Sequence, residues 1–171
     1  MIKSFVAVVG LFAVIYGYTQ NVDYFTNTFN IKPLFFRALT VGAVIGFFIS
    51  RFYNKKGVDG IEKFQISAIC MLACMGIFPL LAVWSNHFLS DKTVTNEPVI
   101  FKSEMPIRGS RIGIIKGKMP EIEGFYTYFT QDLIENRIRS KQSLFHNIAV
   151  GTPVELPVRQ GFWGYKFVEI R

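Results

Sequence analysis

Cys70-Met71-Leu72-Ala73-Cys74-Met75 is the run in this 171-residue chain whose residue types most directly offer chemistry. On a helix, Cys70 and Cys74 stand one turn apart on one face, and thiols with thioethers are soft ligands suited to Cu(I). The same spacing serves a plainer end, because Cys is a small apolar residue that lets helices pack closely. A metal path needs ligands at several depths, and the two other apolar stretches supply none, so the packing role is preferred. Arg37 is the one charge inside a long apolar stretch. Charge within a bilayer is costly and often functional, yet Arg37 lies one turn from Pro33, where its side chain can snorkel to headgroups. His87, in Trp84-Ser85-Asn86-His87-Phe88, belongs to an ordinary interfacial belt.

Catalytic patterns are not found. His146 stands alone in the C-terminal half, so neither a Ser/His/Asp nor a Cys/His arrangement can be built. No His- or Asp-rich spacing points to zinc or calcium, and no glycine-rich loop points to phosphate. The chain is expected to be non-enzymatic, with no cofactor. Three helices without paired buried polar residues do not make a transporter's midplane site.

Binding surfaces are the remaining option. Arg137, Arg139 and Lys141 alternate and would share one strand face, and Arg108, Arg111, Lys116 and Lys118 form a second basic stretch. Either could meet lipid headgroups or an acidic protein, or simply be a solvated face. Phe162-Trp163, held between Gly161 and Gly164, either dips into an interface or plugs the open end of a small β-domain. Small residues recur on the apolar stretches: Gly10, Gly42, Gly46, Ala73 and Gly76, with Gly42-Ala-Val-Ile-Gly46 a GxxxG that permits close backbone approach.

The elements that must carry these residues follow from hydropathy. Residues 4–22 contain no charge, 34–50 only Arg37, and 64–90 none across 27 positions. About 20 apolar residues rising ~1.5 Å each cross a ~30 Å hydrocarbon core. Half of the residues are hydrophobic and 18 are Phe, which suits lipid-facing helices better than a soluble core of this size. The expected architecture is three transmembrane helices (about 2–20, 33–52 and 64–89) in a membrane region, 1–90, followed by a small, mostly antiparallel β-domain, 91–171. The N-terminal stretch has Tyr16, Tyr18 and Gln20 where a cleavage site would need small residues, so it reads as an uncleaved helix rather than a signal peptide.

After Asp91 the pattern turns to period two, predicting strands at 98–102, 111–116, 125–130, 134–139, 154–159 and 165–170, a barrel or sandwich of five to six strands. Gln131-Asp132 is placed as a hairpin turn and 141–147 as one short helical turn. Both cysteines lie in an apolar stretch, so no disulfide supports this domain.

Arg51, Lys55, Lys56 and Lys63 cluster between the second and third stretches against Asp59 and Glu62. By the positive-inside tendency that loop and the N-terminus are cytoplasmic, and the β-domain is periplasmic or extracellular. The net charge of +7 is not concentrated as a nucleic-acid surface requires, so nucleic acid is not an expected partner. The leading expectation is a bacterial inner-membrane interaction or assembly subunit, with the lipid bilayer, further copies of itself or other envelope proteins as partners. The alternative is a protective membrane protein serving toxin immunity, conjugation or phage exclusion, or phage defence.

Overall fold

The structure is a computed structural model that describes residues 2–53, 59–109 and 120–168. The strand expected at 111–116, and Arg111, Lys116 and Lys118 with it, lie outside the described residues, as do Lys55 and Lys56.

The chain divides into two compact units. The first, Met1–Val22 with Ile31–Leu89, is helical: α1 (Ile2–Gln20), α3 (Ile31–Tyr53) and α4 (Gly60–Phe88), with a short α2 (Val22–Thr26) at the boundary. Two of these helices are long and apolar enough to cross a membrane, over Ile31–Phe52 and Gly60–Phe88. Phe36, Val44, Phe48, Ile69, Leu72 and Leu81 are exposed on them, which is costly in water and suited to hydrocarbon.

Helices α3 and α4 pack together extensively. Ser50, fully buried, shares a hydrogen bond of 3.0 Å with Ser67 of α4, a polar tie of the kind that joins helices in lipid. Pro79 sits buried inside α4, as membrane helices tolerate. Contact of α1 with α4 runs through its C-terminal half, where the Tyr18 hydroxyl donates to the Gly76 carbonyl at 2.9 Å and the Val14 side chain lies beside Gly76.

The second unit joins Ser90–Arg171 to Asp23–Asn30. The expected single cut between 90 and 91 therefore does not describe it: the segment between α1 and α3 in sequence belongs with the C-terminal domain. Five antiparallel strands, β1 (Val94–Arg108), β2 (Ile122–Gln131), β3 (Ile134–Ser140), β4 (Pro153–Gln160) and β5 (Lys166–Val168), are ordered β3-β2-β1-β4-β5. The first four make a Greek key, with β4 returning to lie beside β1.

The long β1 hands over between partners. Its first half pairs with β4 (Val94 opposite Arg159) and its second with β2 (Met105 opposite Tyr126), with Ile100 opposite both Pro153 and Thr130. A bulge between Phe101 and Ser103 bends it there, curling the sheet toward closure. Alternation sends Val99, Phe129, Ile138, Leu156, Val158 and Val168 into one core, which Phe29 completes.

Two local expectations are corrected. The β2–β3 turn is Asp132-Leu133, one residue later than expected, with Gln131 already paired to Ile134. Both turn residues have positive φ, 48° and 64°, the signature of a two-residue type I′ hairpin. Residues 141–147 do not form a helical turn. Glu104 pins them instead, accepting from the Ser143 hydroxyl and from the Leu144 N–H at 2.9 Å, while Leu144 and Phe145 pack on the core.

The turn yields a first prediction. Leu133 is 98% exposed and sits in a conformation that costs an L-residue with a Cβ about 1–2 kcal/mol. Leu133→Gly relieves that strain and gives back part of the gain as backbone entropy. We expect a net stabilisation of about 0.5–1 kcal/mol, read as a rise in the β-domain's denaturation midpoint; a fall would show the turn geometry to be otherwise.

Candidate functional site

The most distinctive geometry is at the opening of the sheet. β3 and β5 are its two edges, and residues 27–30 occupy the gap. Toward β5, the Phe29 N–H donates to the Lys166 carbonyl at 2.8 Å, the Val168 N–H donates to the Asn27 carbonyl at 3.0 Å, and Thr28 bridges to Phe167. Toward β3, the Asn27 side chain acts as a surrogate backbone: its Nδ2 donates to the Arg139 carbonyl at 3.2 Å and its Oδ1 accepts the Arg139 N–H at 2.7 Å. The Asn30 N–H donates to Asn136 Oδ1 at 2.9 Å. Phe29 is buried, with its ring 5.1 Å from that of Phe129. A segment distant in sequence thus meets both edges and pairs main-chain groups on each, which covers part of an aggregation-prone exposure.

The interior side of the sheet carries the apolar cluster described above. Around the apolar centre, two carboxylates on the inward side of β1 organise polar ties. Glu97 pairs with the Lys166 ammonium at 2.6 Å and accepts from the Gln131 amide. Glu104 accepts from the buried Thr127 hydroxyl at 2.9 Å, besides Ser143 and the Leu144 N–H. Both carboxylates hold strands and loop together. Among the described residues no group of three His, Cys, Asp or Glu is placed to hold a metal ion.

The outer face carries the basic candidates. Arg137 and Arg139 do share one face of β3, outside the buried Asn136, Ile138 and Ser140. Neither is a bare charge: the Arg137 guanidinium lies 4.5 Å over the Tyr126 ring, and Arg139 pairs with Asp23 at 3.2 Å. Lys141 is exposed just past the strand's end. Arg108 ends β1 and is exposed. Phe162 and Trp163 sit in the β4–β5 turn, edge to face at 5.0 Å and both more than half exposed, so they do not plug the domain. Gly164 has φ 84° there, which a side chain would strain.

On the helices, Gly42 and Gly46 face α4, against the backbone of Cys74 and Cys70. The two cysteines are free thiols, half-buried at this contact. Gly76 meets α1, whereas Gly10 has open space around it and Ala73 is exposed. Arg37 is exposed on the second turn of α3. Sequence reasoning missed Asp23, Asn27 and Phe29, which lie between the first two expected helices; the signal was Phe25 and Phe29, two large apolar residues in that short connecting stretch.

Comparison with known proteins finds no matching family model, no matching curated protein and no matching solved structure.

Proposed function

We propose that this protein is a non-enzymatic interaction or assembly subunit of a bacterial inner membrane. It is anchored by three transmembrane helices and displays its β-domain on the periplasmic side, to further copies of itself or to other envelope proteins. The observation that carries the reading is the incorporation of residues 23–30 into the β-domain. The chain passes through that domain once between α1 and α3 and returns after α4. Two separate passages of chain, rather than the C-terminal segment alone, therefore build the domain that would be displayed to a partner.

Connectivity also supports the topology. A segment built into the β-domain lies on that domain's side of a bilayer, so the chain between residues 30 and 90 crosses an even number of times. Two apolar helices, α3 and α4, fill that interval. Their connection and the helix ends that flank it carry Arg51, Lys55, Lys56 and Lys63, which favours the cytoplasmic side for it and the opposite side for the β-domain. Leu133 and Ile134 at the hairpin, with Phe162 and Trp163 in the β4–β5 turn, present exposed apolar side chains of the sort that anchor partners.

One variant tests side and partner together. Leu133→Cys, in a background with Cys70→Ala and Cys74→Ala, is expected to react with a membrane-impermeant maleimide in intact spheroplasts. With a thiol-reactive photocrosslinker it is expected to give one defined adduct, either a multiple of the chain or the chain with one envelope protein. Labelling only after lysis would refute the sidedness, and a crosslink pattern without a discrete adduct would refute the assembly role.

A further inference from the structure

Where α3 and α4 approach their connection, a groove of about 580 Å³ opens between them. That volume lies within the ~300–1,000 Å³ typical of small-molecule sites. Its walls are apolar: Phe47 from α3, and Phe64, Met71 and Met75 from α4. The α4 residues recur at helical spacing along one stripe, and Phe64 to Met75 spans about 16 Å at ~1.5 Å per residue. That is close to half of a ~30 Å hydrocarbon core, the depth of a single leaflet.

The end of the groove nearest the connection is cationic. Arg51 and Lys63 line it, and no acidic residue does. Among the described residues neither takes part in an ion pair. The Arg51 guanidinium is held 4.9 Å over the Phe47 ring, which sets it against the groove wall. The groove's one hydroxyl, Ser67, is already engaged with Ser50 at 3.0 Å, so the polarity left for a ligand is at the cationic end.

We propose that this groove holds an anionic phospholipid of the leaflet on the side of the α3–α4 connection. Its phosphate sits on Arg51 and Lys63, and one acyl chain lies along Phe47, Phe64, Met71 and Met75. The ligand must be apolar over one leaflet's depth and negative at one end, and a phospholipid with a charged headgroup is both. Arg supplies a planar fork to phosphate oxygens and Lys a point charge, while the two Met side chains adapt to a chain of variable shape. A second copy's apolar helix would fill the walls but leave both cations without a counter-charge. The inference rests on the membrane reading above and goes beyond it by naming a ligand.

The test uses the full chain, extracted from membranes in mild detergent, stripped of lipid and titrated with phosphatidylglycerol or phosphatidylcholine under native mass spectrometry. Phosphatidylglycerol is expected to be retained about tenfold more strongly, since each basic group near a headgroup contributes about a factor of several. Arg51→Gln with Lys63→Gln should bring its retention down to the phosphatidylcholine level. Both side chains are exposed, so this variant is not expected to disturb folding. Ala68→Trp, which fills the groove, should lower retention of both lipids. Equal retention of the two lipids by the unaltered chain overturns the proposal, as does full phosphatidylglycerol retention by the double variant. A dimer that Ala68→Trp dissociates, in place of lipid loss, overturns it too. Each of these leaves the membrane reading intact, whereas a chain released from membranes by alkaline carbonate would defeat both.

Discussion

A fragment comprising residues 90–171 alone is expected not to fold cooperatively, and the same fragment preceded by residues 23–30 on a flexible linker is expected to recover a single unfolding transition. Two losses combine in the shorter piece. Phe29 leaves the core, where it is 6% exposed against Phe129, and truncating a buried Phe costs about 3–5 kcal/mol. The main-chain groups of Arg139, Lys166 and Val168 that Asn27 and Phe29 satisfy lose their partners as well. A donor or acceptor left unpaired costs about 1–3 kcal/mol where water cannot reach it. A domain of this size has roughly 5–10 kcal/mol to lose in total.

In the full chain, single substitutions divide the effect. Phe29→Ala should destabilise the β-domain by about 3–4 kcal/mol. Asn27→Ala should cost about 1–3 kcal/mol, and Asn27→Asp at least as much, because the buried carboxylate still accepts from the Arg139 N–H but sets an oxygen against its carbonyl. Denaturant unfolding followed by Trp163 fluorescence reads all of these. A 90–171 fragment with a sharp transition and the full chain's midpoint would show that the inserted segment only decorates the fold.

The parts of this architecture that are local in sequence were legible there. Apolar length marks α3, broken only by Arg37 over residues 34–50, and α4, because a bilayer demands about 20 predominantly apolar residues. Period-two alternation at Val154, Leu156 and Val158 marks β4, where Leu156 and Val158 are buried and Glu155 is exposed. What was not legible is pairing across long separations. Asn27 and Arg139 are 112 positions apart, and no periodicity within either segment announces the other. The Asn- and Thr-containing stretch from Asn27 to Asn30 reads as a loop by composition, since such residues favour turns. Its burial is dictated by the two open edges of a sheet whose strand order was unknown. The hairpin slipped by one residue for a related reason: Asp132-Leu133 is a poor type I′ sequence, and register held by strands on both sides overrides that turn preference. The basic face at Arg137 and Arg139 was legible as a face, but Asp23, from the inserted segment, was not legible as its counter-charge.

Gly46→Ala is expected to loosen the α3–α4 hairpin, whereas Gly10→Ala on α1 is expected to be neutral or slightly stabilising. The contrast comes from what a methyl group meets. At Gly46 a Cβ would stand 2.5 Å from the Cys70 carbonyl oxygen and 2.6 Å from the Met71 Cα. Both are backbone atoms that no rotamer change can move, so the helices themselves must separate. At Gly42 the Cβ would meet the Cys74 carbonyl oxygen at 2.8 Å, one turn along the same contact. Overpacking of this kind costs about 1–3 kcal/mol, and separation also stretches the Ser50–Ser67 hydrogen bond formed one turn beyond Gly46. At Gly10 nothing lies within 4 Å, and Ala improves helix propensity by up to about 1 kcal/mol. Gly42→Leu with Gly46→Leu should prevent α3 and α4 from packing at all. Unfolding in mixed micelles of increasing denaturing-detergent fraction measures the effect. Equal midpoints for Gly46→Ala and Gly10→Ala would mean that the GxxxG face of α3 does not meet α4, and would return that face to contacts with another chain.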